Sequence, residues 1–217
     1  MGKPKKDKPK RIYSNEMRKT LKTGDIVLFS GKGGISAGVK WVTHGDWSHV
    51  GMILRLPEYD FVTVWESTTL SSLVDLDTQV PRKGVQLVPL SARIKDYDGE
   101  IAVRQLDGVT FENDDIQELI KLRHEVAGRP YEQDMIELIK AAYDGPLGRN
   151  TEDLTSLFCS ELVAEAYQRL GLLSNDKESN EYKPSNEYTP YDFSEDNKEL
   201  KLLKGSLGEE IIMKSEA

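Results

Sequence analysis

Only one cysteine occurs in the 217 residues, so no internal disulfide can form and nothing asks for an oxidising compartment. Long apolar runs are also missing. Residues 26–29, Ile-Val-Leu-Phe, are strand-sized, far short of the roughly 20 residues of a membrane-spanning helix. The N-terminus carries charge but no apolar h-region, which argues against a secretory signal; the expected location is cytoplasmic. Histidines number three, at 44, 49 and 124. Zinc from His44, His49 and Cys159 is open by residue type, but no HxxxH or CxxC spacing supports it. The glycine-rich stretch 31–34 fails as a phosphate loop, because Lys32 is followed by Gly33 rather than Ser or Thr, and Ile26 stands where a glycine is required. No dinucleotide fingerprint is present. Among 37 acidic residues nothing singles out a glycosidase pair.

What remains is an ordinary globular composition, 38% hydrophobic and 30% charged, long enough for one well-filled domain. The net charge of −8 conceals an asymmetry: residues 1–22 carry a net +7, leaving −15 for the rest. Lysine and proline dominate the first ten residues, which cannot bury a core. The domain expectation is a basic disordered arm over 1–20 and a single domain over 21–217. Such an arm is most simply a solvated tail, and clustered lysine also allows weak contact with an anionic membrane surface. An acidic body without interleaved aromatic and basic residues argues against a nucleic-acid partner.

Periodicity places strands at about 25–29, 48–54, 61–66, 85–88 and 100–104, with a closing strand at 211–213. Helices are expected through 116–124, over 133–143, and from near Cys159 to a stop at Gly171. Strands first and helices later predict an α+β fold.

Three residues stand out chemically. A lone cysteine is most often a small buried hydrophobe. Cys159, however, falls where a polar loop gives way to an amphipathic helix. Free N–H groups at a helix start favour thiolate and can hold an oxyanion. His49 lies inside a strand on the face of Gly51 and Ile53, and Gly51 leaves space beside the imidazole. His124, within a helix, reads as a surface residue and His44 as a loop residue. Glu66 ends a strand in phase with Val62 and Val64. It either faces water or, buried, needs a partner that His49 could supply. The loop 31–34 reads as a cleft rim, with Gly33 and Gly34 as candidate substrate contacts.

Together these residues form a pattern. Gly128-Arg129-Pro130-Tyr131 followed by Phe158-Cys159-Ser160-Glu161-Leu162-Val163 resembles the NlpC/P60 papain-like superfamily. Ordinary members place the histidine after the cysteine. Here Ser48-His49-Val50-Gly51 and Trp65-Glu66-Ser67 come first. That order resembles the circularly permuted, YiiX-like branch, with lecithin:retinol acyltransferase-type enzymes as distant relatives. The similarity covers roughly residues 20–195. It implies a small antiparallel β-barrel or sheet packed against a helical half that carries the nucleophile. It further implies Cys159 as nucleophile, His49 as base, Glu66 as the third polar residue, and Tyr131 and Ser160 beside the substrate. The implied activity is a metal- and cofactor-free thiol hydrolase. It would act through an acyl-enzyme on the amide bond of a small or cell-wall-derived peptide. A lipid acyl hydrolase or acyltransferase, or a non-catalytic lipid-binding module, is the alternative. The basic arm matches no family motif, and the 27 residues between Tyr131 and Cys159 leave room for an extra helix and loop over the cleft.

Overall fold

A computed structural model describes residues 13–32, 45–56, 59–129 and 151–215, with only the helical backbone described over 151–158. The chain opens with helix α1 (Asn15–Thr20), whose Ser14 side chain caps the Met17 amide. Strands β1 (Ile26–Gly31), β2 (His49–Leu56), β3 (Phe61–Thr68) and β4 (Gly84–Pro89) follow, then helix α2 (Leu90–Asp96) and strand β5 (Gly99–Arg104). A two-residue strand β6 (Leu106–Asp107) leads to helix α3 (Asn113–Val126), capped by a Glu112–Asp115 box. Helix α4 (Thr151–Arg169) is followed by two short 3-10 turns, strand β7 (Ser206–Leu207) and strand β8 (Ile211–Lys214).

Six of these strands form one antiparallel sheet in the order β4-β3-β2-β1-β5-β8. The β6 and β7 strands pair separately. This is the expected α+β arrangement with an open sheet; the barrel alternative is corrected, because among the described residues β4 and β8 are the two ends of the sheet and do not pair with each other. Both faces are covered, so closure is not needed to bury apolar residues. On one face Ile26, Leu28, Val50, Met52, Leu54 and Trp65 join a cluster with Leu162, Val163, Ala166 and Tyr167 of α4 and Leu119 and Leu122 of α3. On the other, Val27, Phe29, Ile53, Val62 and Val64 pack with Met17 of α1 and Leu90 of α2. Alternate residues of each strand serve opposite layers. Two covered faces explain why β1 is buried along its whole length and reads as a continuous apolar run.

The arm expected over 1–20 is corrected in its last third. Tyr13 donates its amide to the Met213 carbonyl, and Met17 and Leu21 are buried against the sheet. Two apolar residues at helical spacing anchor a segment whose charge count alone suggested a tail. Residues 1–12 lie outside the described residues. Among the described residues no helix is long and apolar enough to cross a membrane.

The C-terminal segment locks the strand ends that hold the site. Arg104 donates to the carbonyls of Gly208, Phe193 and Leu207 at 2.7–3.0 Å. Buried Glu210 accepts the Trp47 indole N–H at 2.8 Å and the Ser194 hydroxyl at 2.9 Å. Trp47 lies two residues before His49, so this network fixes the entry to β2.

Candidate active site

His49 is the first residue of β2, and Glu66 lies on the neighbouring β3. The register Met52↔Trp65 brings Gly51 beside Glu66, which makes His49 and Glu66 a diagonal pair across a residue without a side chain. A Cβ on Gly51 would lie 2.8 Å from Val64 Cγ2 and 3.3 Å from Glu66 Cβ. The missing methyl is what lets the imidazole lean across to the carboxylate. His49 Nε2 and Glu66 Oε2 are 2.6 Å apart.

Glu66 is fully buried and its second oxygen is also taken. Oε1 accepts the Arg93 Nε–H at 2.7 Å, and the Arg93 side chain is itself fully buried. The remaining Arg93 donors reach Asp96 Oδ2 at 3.3 Å and Gln86 Oε1 at 3.5 Å. Gln86 stands directly opposite Glu66 in the β3–β4 register.

His49 is also hydrogen-bonded to the Cys159 thiol. With Nε2 engaged by Glu66, Nδ1 is the nitrogen left for sulfur. Cys159 is buried in α4, which packs on β2 and β3. Phe29, opposite His49 in the β1–β2 register, sets its ring 5.1 Å from the imidazole centroid at 45°. Tyr97 closes the edge, its ring 5.1 Å from that of Phe29 at 62°, with its phenol hydrogen-bonded to Ser48.

The electrostatics follow from this packing. Burial acts to lower the His49 pKa, but the charge and hydrogen bond of Cys159, then those of Glu66, overcome it and lift the value to about 9. At neutral pH the ring is therefore an imidazolium poised against sulfur. Burial would raise the Glu66 pKa; the Arg93 charge and the His49 bond reverse this and hold it below the ordinary carboxylate value. Glu66 thus stays ionised and acceptor-only. Burial pushes the Tyr97 phenol up to about 12, so it stays protonated.

The structure brings His49, Glu66 and Cys159 together and separates other expected residues from them. The Ser160 hydroxyl, fully buried, donates to the Tyr188 carbonyl at 2.5 Å. That bond ties α4 to Tyr188, the residue that ends the following 3-10 turn. Cys159 was expected at a helix start, but α4 begins at Thr151, eight residues earlier. An amide that deep in a helix donates within the helix's own ladder. The expected placement of Cys159 at a helix start, beside free N–H groups, is therefore corrected. Exposed His124 stands on α3 as a surface residue. Tyr131, Gly33, Gly34, His44 and the helix expected over 133–143 lie outside the described residues.

Arg93 is the residue that sequence reasoning missed. Its neighbours Ser91, Ala92 and Lys95 give no reason to bury a guanidinium. A signal did exist in the pairing requirement: a buried Glu66 with one oxygen on His49 has a second oxygen that needs a donor.

No protein-family model matches the sequence, and no curated protein matches it. Among solved structures the chain is similar to the metalloprotein yiiX from Escherichia coli, at 23% identity and a TM-score of 0.44. That likeness covers 69% of this chain and 66% of the other, so the chain spans just under two thirds of that protein's length.

Proposed function

We propose that the chain is a thiol-dependent hydrolase with a permuted papain-like order, in which the base His49 and its partner Glu66 precede the nucleophile Cys159. One observation carries this reading: a buried carboxylate holds Nε2 of a histidine whose ring is also hydrogen-bonded to the chain's single thiol. Nucleophile, base and orienting acceptor form a chain of hydrogen bonds, the arrangement that activates a weak nucleophile.

In the proposed reaction the Cys159 thiolate attacks a carbonyl carbon, forming an S–acyl bond as the C–N bond breaks. The His49 imidazolium gives its proton to the leaving amine. The neutral imidazole then takes a proton from water, which attacks the thioester and returns Cys159 to its starting state. Glu66 stays ionised throughout and keeps the proton of Nε2 on the side away from sulfur. The substrate proposed is the amide of a small or cell-wall-derived peptide; the acidic body, net −15 beyond residue 22, suits a free amine on it.

Both ring nitrogens of His49 and both oxygens of Glu66 are engaged within the protein. A metal ion would have to break these bonds to enter. Activity is therefore expected to survive dialysis against a chelator.

The test is labelling of the purified protein by an electrophilic acyl-type probe, followed by a substrate screen. The expected result is a single adduct on Cys159, abolished in Cys159→Ala and markedly slowed in His49→Ala. Release of new amino groups from peptide fragments would support the amide reading. Fatty-acid release from acyl lipids without amine release would replace it with the lipid alternative. Equal labelling of wild type and His49→Ala would remove the catalytic pair altogether.

A further inference from the structure

We propose that Arg93 is a positioning residue: by holding one oxygen of Glu66 it keeps the other on His49, and so sets how far into acid the thiol–imidazole pair stays reactive. This rests on the reading of Cys159 and His49 as nucleophile and base.

The geometry is that of a clamp. Glu66 Oε1 meets Arg93 Nε at 2.7 Å while Oε2 meets His49 Nε2 at 2.6 Å. With both oxygens occupied the carboxylate cannot rotate away from the ring. Arg93 is itself held by three groups on different elements: Glu66 on β3, Gln86 on β4 and Asp96 on α2. Gln86 is anchored in turn by donating to the Leu70 carbonyl at 2.9 Å, and Asp96 Oδ2 accepts the Ser72 hydroxyl at 2.5 Å. A planar guanidinium suits such a junction because its donors leave in fixed directions.

Charge gives the clamp a second effect. The groups bearing on the site are the Cys159 thiol from α4, the His49 ring from β2, the Glu66 carboxylate from β3, and Arg93 and Asp96 from α2. The Tyr97 phenol just beyond α2 completes the set. Arg93 is the one permanent cation among them. Without it, Glu66 would be a buried carboxylate facing only a titratable ring, and the two would share one proton. Glu66 would then draw that shared proton off the ring, and His49 would lose the charge that holds the thiolate.

A purely structural Arg93, serving only to fasten α2 to the sheet, would not move the pH dependence of Cys159. The measurement is the rate of Cys159 alkylation by iodoacetamide across about pH 5 to about pH 9, well below and just above the ordinary thiol pKa of about 8.5. In Arg93→Met the acid limb is expected to move up by about one pH unit, which makes alkylation at about pH 6 about tenfold slower. Arg93→Lys, which restores charge without the planar fork, should recover part of the shift. In a Glu66→Gln background Arg93→Met should add little, because no carboxylate remains to be held. Superimposable wild-type and Arg93→Met profiles would overturn the proposal, as would an equal shift in the Glu66→Gln background. If Arg93→Met does not fold, as judged by circular dichroism, Arg93→Gln replaces it with the same expectation and the same overturning results. A wild-type profile matching that of a free thiol is a different failure: it would sink the nucleophile–base reading itself.

Discussion

Glu66 shows how one side chain can carry two obligations. It orients His49 and neutralises Arg93, and its own carboxylate is shut away from water. Truncation to alanine therefore strands a buried guanidinium, which costs about 3–5 kcal/mol when the partner of a buried ion pair is lost. Glu66→Ala is expected to show that loss in urea denaturation, so its lowered activity would mix stability with catalysis. Glu66→Gln is the cleaner probe. Glutamine can turn its carbonyl to Arg93 and its NH2 to His49, which favours the imidazole tautomer with the proton on Nδ1. That ring faces sulfur with a proton already in place and is a poor base. Glu66→Gln should remain folded, react with iodoacetamide more slowly than wild type at about pH 6, and retain more folded protein in urea than Glu66→Ala. Full reactivity of Glu66→Gln would show that the carboxylate's charge is not required.

At the scale of elements, the site depends on how closely β2 and β3 approach. Gly51 is the narrow point, since an added methyl would meet Val64 at 2.8 Å, the Trp65 carbonyl at 3.1 Å and Glu66 Cβ at 3.3 Å. Two of these three contacts belong to strand backbone or to the His49–Glu66 pair, so relief must come from spreading the strands. Gly51→Ala is expected to destabilise the fold by about 1–3 kcal/mol, the usual cost of an overpacked core. It should also lengthen the His49–Glu66 bond. The check is urea denaturation together with Cys159 alkylation: both should fall. Unchanged stability with unchanged alkylation would mean that the sheet absorbs the methyl without moving the pair.

For the whole molecule, the buried charges determine how stability varies with pH. Asp25, 1% exposed, accepts the Lys22 amide at 2.8 Å and the Leu106 amide at 2.9 Å, joining the entry of β1 to the start of β6. Burial outweighs these bonds and lifts its pKa from 3.8 to about 6. The folded chain therefore holds a proton that the unfolded chain has released. The stability this group contributes is fully present below its unfolded value and is lost as pH rises through about 6. A difference of roughly two pH units corresponds to about 3 kcal/mol. Glu66 has the opposite sign: its contribution is present above the ordinary carboxylate value and is lost on acidification. The unfolding free energy of wild type minus that of Asp25→Asn should fall between about pH 4 and about pH 6 and flatten above about pH 7. A difference independent of pH would mean that Asp25 titrates alike in both states.

The sequence by itself determined the strands at 26–29, 48–54 and 61–66, the helix through 116–124, and the phase that puts His49 with Ile53 and Glu66 with Val62 and Val64. These are properties of one element at a time: an apolar run bounded by turns, or a side chain's place in a period of two. Partners between elements are of another kind. The open sheet, the packing of α1, the turn of Ser160 toward Tyr188 and the depth of Cys159 within α4 depend on where elements begin and how they stack. Local pattern does not contain that information. Arg93 is the sharpest case. Its position in α2 reads as an ordinary polar residue, and only the stacking of α2 over β3 and β4 turns it into the buried cation that holds Glu66. A charge can be buried only where register and packing deliver its counter-charge, and that is decided by the assembled chain.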